Sequence, residues 1–291
     1  PNQAEAAITY QSAGALAYGA ASVAPAYPAS IAAGDLLVLI IGMKPSTANS
    51  GSVTTPSGWT PIVSLTGSGG YGTTLGADTG NTNLFTFSRL ADGTESGSLT
   101  VTLTTSNVAW AQIYRYSKTT GEWSVAGATG SDTSAGNVSI AFGSNPGVTN
   151  LDHILGAMCI PTDVTTPAQF SAEAFTQAGM TFAAATEVSE PDSTTGNDIG
   201  GFVARTNATA GTATGSPTMT ATAGGTTTDV RGPGVFIRIR EFAGTPPTAG
   251  TVTVSPDSNG YTSSAPAIST TFTDNESPVT SCEYTTNGSA W

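Results

Sequence analysis

The sequence predicts an all-β protein built as a jelly-roll-like β-sandwich, and three observations carry that prediction. Apolar and polar residues alternate with the period of two that a half-buried strand requires, and helical periodicity is almost absent. Gly, Asn and Asp punctuate the chain between the apolar segments. About a dozen short strands separated by such turns are typical of a sandwich or jelly roll, so we assign residues 1–242 to one such domain.

The clearest alternating segment is 98–105, where Leu99, Val101 and Leu103 are separated by threonines. We expect the aliphatic side chains to face a core and the threonines at 100, 102 and 104 to face water or another subunit. Segments 138–142 and 235–240 alternate in the same way. All three are therefore predicted to be strands with one buried face.

Two segments, 36–43 and 154–160, are apolar throughout, which predicts central strands buried on both faces. Further strands are expected at 59–64, 84–90, 110–117, 180–188, 201–206 and 217–223. Segment 167–178 is rich in Ala and Glu, and we expect it to form a helical turn or two. The Gly-rich segment 67–83 is long for a connection, which predicts a loop that serves as a contact surface.

A domain boundary is predicted after Phe242. Residues 243–250 contain Pro246 and Pro247 and are expected to form a stiff linker. Alternation resumes at 251–255, 268–273 and 279–285, which predicts a second β module over 251–291. About 45 residues are too few for a complete immunoglobulin-type sandwich, so we expect a partial one.

Charged residues make up 10% of the chain, against about 25% for an average soluble domain. The formal net charge is −12, and most of the eight basic residues are scattered. Because no basic patch is available to neutralise phosphates, we expect no nucleic-acid partner. The acidic surface also disfavours binding to anionic lipid, and the longest strongly apolar stretch is too short for a membrane helix, so we expect no membrane association.

The two cysteines, Cys159 and Cys282, lie far apart, so a disulfide framework is not the predicted source of stability. Cys159 lies in an apolar segment and is expected to be a small buried side chain. The N-terminal residues lack a basic segment followed by a long apolar one. We therefore expect synthesis in a host cytoplasm without a secretory leader.

Catalytic residues are not predicted. His153 is the single histidine, which excludes mechanisms that need two imidazoles. Asp152 and His153 could orient a serine nucleophile, but the chain has no Gly-x-Ser-x-Gly segment. We expect His153 to mark the start of a buried strand, and we expect no catalytic site, metal or cofactor.

The densest acidic cluster lies in segment 187–198 and comprises Glu187, Glu190, Asp192 and Asp198. A solvated surface loop is the favoured interpretation. A calcium site built from several oxygens and a glycosidase-like carboxylate pair are the alternatives.

Four aromatic residues could line one face, namely Trp110, Tyr114, Tyr116 and Trp123. Core packing or a subunit interface is favoured over a ligand platform for this set. No residue is assigned to a binding site from the sequence.

Three segments resemble a β-sandwich module of tailed-bacteriophage structural proteins. They are Gly34-Asp35-Leu36-Leu37-Val38-Leu39, Thr55-Pro56-Ser57-Gly58-Trp59-Thr60 and Trp110-Ala111-Gln112-Ile113-Tyr114-Arg115-Tyr116. In that module an apolar strand leads through a variable loop to a TPSGWT turn. The resemblance covers residues 1–242, and it implies a structural role without catalytic residues. Trp59 itself is expected to anchor a core.

The C-terminal segment from Phe272 to Trp291, with Ser281-Cys282-Glu283-Tyr284-Thr285-Thr286, is similar to bacterial and phage immunoglobulin-like repeats. Such repeats are appended to surface proteins as spacers or weak glycan-binding modules. The two resemblances together imply a virion protein of the capsid-decoration or head-fibre kind, located on the virion surface. Its expected partners are major capsid or tail proteins and further copies of itself. The alternatives are a tail-fibre or receptor-binding protein that adheres to host glycans, and a polysaccharide-degrading enzyme.

Overall fold

The computed structural model describes residues 8–119, 121–163, 169–224 and 230–242, together with short strands at 248–249, 253–255, 267–269 and 272–273. The chain divides into two compact units, Pro1–Phe242 and Ala243–Trp291. Within the predicted linker, 243–250, residues 248–249 form a short strand, and the other residues lie outside the described residues. The fold is all-β, as the sequence predicts. No helix in the described part of the chain is long and apolar enough to cross a membrane.

The first half of the larger unit contains β1 Thr9–Ala13, β2 Ala17–Gly19, β3 Ser22–Val23, β4 Leu36–Pro45, β5 Ser52–Val53, β6 Thr60–Gly76, β7 Thr79–Leu90, β8 Val101–Thr104 and β9 Ser106–Ser117. Its principal sheet has the order β1-β9-β4-β7-β6, with β2 also paired to β9. Its minor sheet has the order β3-β8-β5.

The second half contains β10 Glu122–Asp132, β11 Val138–Ala141, β12 His153–Ile160, β13 Phe170–Thr176, β14 Met180–Phe182, β15 Thr186–Ser189, β16 Asp192–Ser193, β17 Ile199–Gly211, β18 Thr218–Ala223 and β19 Gly232–Phe242. Its principal sheet has the order β10-β19-β12-β17-β14, with β15 and β16 also paired to β17. Its minor sheet has the order β11-β18-β13. With β2, β15 and β16 set aside, each half has eight strands among the described residues, and the second half repeats the strand order of the first.

The connection into the central strand of the first half is fixed by Asp35. The Asp35 carboxylate accepts hydrogen bonds from the backbone N–H of Ala32 at 2.8 Å and from Nε of Arg115 at 2.6 Å. The Asp35 carbonyl accepts from the N–H of Ala91 at 2.8 Å. One buried aspartate thus ties together the start of β4, the residue after β7 and strand β9.

Asp152 does the same in the second half. Its carboxylate accepts from the N–H of Thr149 at 2.8 Å and from Nε of Arg240 at 2.7 Å. Its carbonyl accepts from the N–H of Ala208 at 2.8 Å. Because the backbone and side-chain bonds match those of Asp35, the repeat extends from topology to the hydrogen bonds of this turn.

Three hydrophobic cores separate four β-layers within the described part of the larger unit. The middle core lies between the two principal sheets and is built from β4, β7 and β9 on one side and β12, β17 and β19 on the other. The outer faces of the principal sheets pack against the minor sheets, β3-β8-β5 in the first half and β11-β18-β13 in the second. The unit is therefore two β-sandwiches packed face to face, where the sequence predicts a single one.

Both strands predicted to be buried on two faces, β4 and β12, are central and fully buried, because each carries apolar residues toward two cores. The predicted alternation at 98–105 is also confirmed. Val101 and Leu103 are buried, Leu99 packs against the same core, and the three threonines are exposed.

Two predictions are wrong. The predicted contact loop 67–83 belongs mostly to the hairpin of β6 and β7, because its Gly and Thr residues continue an antiparallel ladder. The segment predicted to be helical, 167–178, contains strand β13, in which Phe170 and Phe175 are buried in the outer core of the second half. Residues 167 and 168 lie outside the described residues. Burial of these two rings outweighs the helix propensity of the intervening Ala and Glu residues.

The smaller unit contains β20 Thr248–Ala249, β21 Thr253–Ser255, β22 Ala267–Ser269 and β23 Phe272–Thr273. β20 pairs with β23 and β21 pairs with β22, both antiparallel. These strands overlap two of the predicted alternating segments. The third, 279–285, and Cys282 lie outside the described residues.

Candidate functional site

His153 is the first residue of β12 and is 6% exposed. Its ring lies edge-on to that of Tyr116, with 5.9 Å between centroids, and burial lowers its pKa. The neighbouring Asp152 carboxylate is bound to Arg240. His153 therefore starts a buried strand, as predicted from the sequence. Asp152 holds the turn that precedes this strand.

The acidic segment 187–198 does not form one cluster. Glu187 and Glu190 lie beside Glu173 of β13, whereas Asp198 lies beside Asp78 and Asp163. The charge of Asp192 acts on Asp163 and Asp198, and its backbone N–H donates to the hydroxyl of Tyr18 at 2.9 Å. The structure thus separates the predicted cluster into a glutamate group and an aspartate group.

The glutamate group is held by β13. The Glu190 carboxylate accepts hydrogen bonds from the N–H of Gln169 at 3.0 Å and of Phe170 at 2.5 Å. Partial burial, followed by the charges of Glu190 and Glu173, raises the pKa of Glu187 to about 7. Glu187 therefore takes up a proton near neutral pH, which allows three carboxyl groups to lie together.

The aspartate group comprises Asp78, Asp163 and Asp198, whose carboxylate oxygens lie within 4.8 Å of one another. Such oxygens suit a hard cation. Burial and the neighbouring carboxylates raise the pKa of both Asp163 and Asp198. The group contains residues from both halves of the unit, because Asp78 belongs to the β6–β7 turn and the other two follow β12 and precede β17.

A fully buried lysine, Lys44, supplies a positive charge at the same place. Its Nζ donates to the carbonyls of Gly76 and Pro161, both at 2.7 Å, and of Asn197. Burial lowers the pKa of Lys44 to about 8, although the aspartates favour its charged form. The ammonium is thus an internal counter-ion for the aspartate group and a tie between the two halves.

The aromatic set predicted from the sequence also divides. Trp110, Tyr114 and Tyr116 are fully buried in the middle core, and the Tyr114 hydroxyl donates to Gln112 Oε1 at 2.7 Å. Trp59 is buried in the outer core of the first half, as expected of an anchor. Trp123 differs from these rings, because it is partly exposed and lines a surface groove.

The groove has a volume of about 480 Å³ and lies where the edge strand β10 passes the ends of β4, β6 and β7. It is lined by Leu36, Gly58, Thr60, Ser88, Arg89, Leu90, Glu122, Trp123 and Val125. Its volume falls in the range of about 300–1,000 Å³ that is typical of small-molecule sites. The groove is a candidate binding site.

Cys159 is a free, fully buried thiol in the middle core, and burial raises its pKa to about 12. It is therefore an unreactive apolar side chain, as predicted from the sequence.

Comparison of the chain with protein-family profiles, with curated proteins and with solved structures finds no match.

Proposed function

We propose that this chain is a non-enzymatic structural protein of a virus particle, of the capsid-decoration or head-fibre kind. In this proposal the larger unit attaches to the particle lattice and the smaller unit is displayed. The observation that carries the proposal is the construction of the larger unit from two sandwiches packed face to face over one continuous core.

The strand order of each half supports this interpretation. With β2 set aside, the principal sheet of the first half begins with its first, last, third and sixth strands. We infer a jelly-roll arrangement from this order. With β15 and β16 set aside, the second half follows the same order. Jelly rolls are common in viral capsid and lectin domains, so the topology agrees with the resemblance to phage structural proteins.

The positions of three basic side chains also support a structural role. Arg115 and Arg240 hold the turns that enter the central strands, and Lys44 joins the two halves. Buried ionic groups that satisfy backbone carbonyls and carboxylates fix the position of each strand end. A rigid body of this kind suits a protein that must present the same surface at every lattice position.

Quantitative mass spectrometry of purified particles tests the proposal. The chain is expected in purified virions at a fixed ratio to the major capsid subunit. Its recovery only in the fraction free of particles would contradict the proposal.

A second assay addresses catalysis. The purified chain is expected not to hydrolyse host capsule or lipopolysaccharide, and His153→Ala is expected to lower stability alone. Hydrolysis that disappears with His153→Ala would overturn the non-enzymatic assignment.

A further inference from the structure

The groove beside Trp123 has one wall from each half of the larger unit. Thr60, Ser88 and Leu90 come from the first half, and Glu122 and Trp123 come from the second. Leu90 is 60% exposed, so the groove combines accessible apolar surface with hydroxyl and carboxylate groups. This mixture suits a ligand that has both C–H faces and hydroxyl groups.

The side chains that line the groove are held in place. The Trp123 indole N–H donates to the carbonyl of Gly34 at 2.8 Å, which fixes the position of the ring. The Arg89 guanidinium bonds to Asp92 at 3.1 Å and to Glu95 at 3.0 Å. Because these groups are fixed before a ligand arrives, binding costs less conformational entropy.

The charges in the groove favour a neutral ligand. The two carboxylates that hold Arg89 offset its positive charge. The Lys118 ammonium lies 5.6 Å from the Trp123 ring centroid and has the opposite charge to Glu122. Glu122 is exposed and leaves an acceptor on the wall of the groove. An anionic ligand would meet this carboxylate on a chain with a net charge of −12.

The strands that line the groove can be compared with their counterparts in the other half of the unit. By strand order, the counterparts of β10, β4 and β7 in the other half are β1, β12 and β17. Tyr10, His153 and Arg205 are residues of these three strands. The Arg205 guanidinium lies 4.5 Å from the Tyr10 ring centroid, and Tyr10 packs on Tyr116 with 5.5 Å between centroids. A cation therefore lies over an aromatic ring on both β1 and β10, since Lys118 Nζ lies 5.6 Å from the Trp123 ring centroid.

We propose that this groove is a binding site for a neutral saccharide, which contacts the exposed part of the Trp123 ring. The hydroxyls of Thr60 and Ser88 and the Glu122 carboxylate would bond to the sugar hydroxyls. Aromatic side chains with a polar handle are suited to such mixed surfaces. The proposal does not depend on a role in a virus particle.

Saturation-transfer NMR of the full chain with maltohexaose, cellohexaose, xylohexaose and chitohexaose tests the site. At least one of these neutral probes is expected to bind with a Kd on the order of 1 mM or tighter. Trp123→Ala is expected to weaken that binding at least about tenfold, and Trp123→Phe to weaken it less, because a ring remains. The matched control is Tyr18→Ala, which removes an exposed ring outside the groove and is expected to leave the affinity unchanged.

Circular dichroism reports whether each variant is folded. If Trp123→Ala does not fold, Thr60→Trp provides the second test, because a large side chain at this exposed position fills the groove and should abolish binding. The proposal would be overturned if no probe bound at a probe concentration of about 10 mM. It would also be overturned if a folded groove variant bound the probe with the same Kd as the wild type. A third contrary result would be that the anionic probe sialyllactose binds with a Kd as low as that of the neutral probes.

Discussion

At the scale of residues, two buried carboxylates hold the turns that lead into the central strands. Asp35 and Asp152 each combine a backbone N–H with an arginine at the entrance to a central strand. Both aspartates are almost completely buried, so the arginine and the N–H replace the water that each carboxylate loses on folding. The aspartates therefore act as structural elements of the repeat.

Asp152→Ala is expected to lower the free energy of unfolding by about 3 kcal/mol, because it leaves the Thr149 N–H and the partly buried Arg240 without their acceptor. Chemical denaturation measures the change. Asp92→Ala removes one exposed partner of Arg89 and serves as the control, with a much smaller loss expected. Equal losses in the two variants would show that the buried pair has no special role.

The glutamate group predicts a dependence of stability on pH. The pKa of Glu187 is raised from its ordinary value of 4.5 to about 7 in the folded chain, so between these values the folded state binds more protons than the unfolded state. The contribution of Glu187 to stability is therefore complete below about pH 4.5 and is lost as the pH rises through about 7.

Glu187→Gln keeps a neutral side chain at all pH values and should remove this part of the pH dependence. Denaturant midpoints measured from pH 4.5 to 8 provide the test. An unchanged pH profile in the variant would show that Glu187 does not carry the proton.

At the scale of elements, the strands with strict alternation were predicted from the sequence, because burial on one face repeats with the period of the strand. β8 and β11 follow this rule. Strand β10 was not predicted, because Gly and Ala occupy many of its positions and weaken the contrast between its faces. Its glycines are required by close packing, since a Cβ at Gly127 would lie 2.8 Å from a Val63 methyl group.

Leu103→Ala tests the register of β8. Leu103 is 6% exposed in the outer core of the first half, so its truncation is expected to cost about 2–5 kcal/mol. Thr102→Ala alters the exposed face of the same strand and is expected to change stability by no more than about 0.5 kcal/mol. Urea denaturation compares the two. A larger loss from the threonine variant would reverse the orientation of the strand.

At the scale of the whole molecule, the all-β class followed from the sequence but the duplication did not. The two halves share strand order and the Asp–Arg turn, whereas their side chains in the middle core differ, so no periodic motif reveals the repeat. The candidate groove was missed for a related reason. Trp123 and Ser88 are distant in sequence and meet only because the two principal sheets pack face to face.

The larger unit contains all three cores of the described residues, and each principal sheet is covered on both faces. A chain ending at Ala243 is therefore expected to fold without the smaller unit. Circular dichroism and a cooperative thermal transition check this. Loss of the transition would mean that residues 244–291 are needed for the sandwich to fold.

The most direct test of the proposed function is the occupancy of particles that lack this protein, measured after addition of the full chain or of the chain ending at Ala243. If the larger unit is the attachment surface, both forms should bind to the same saturating ratio per capsid subunit. If the shortened chain is folded but does not bind, the smaller unit is the anchor and the proposed orientation is inverted. If neither form binds, the assignment to the particle surface is contradicted.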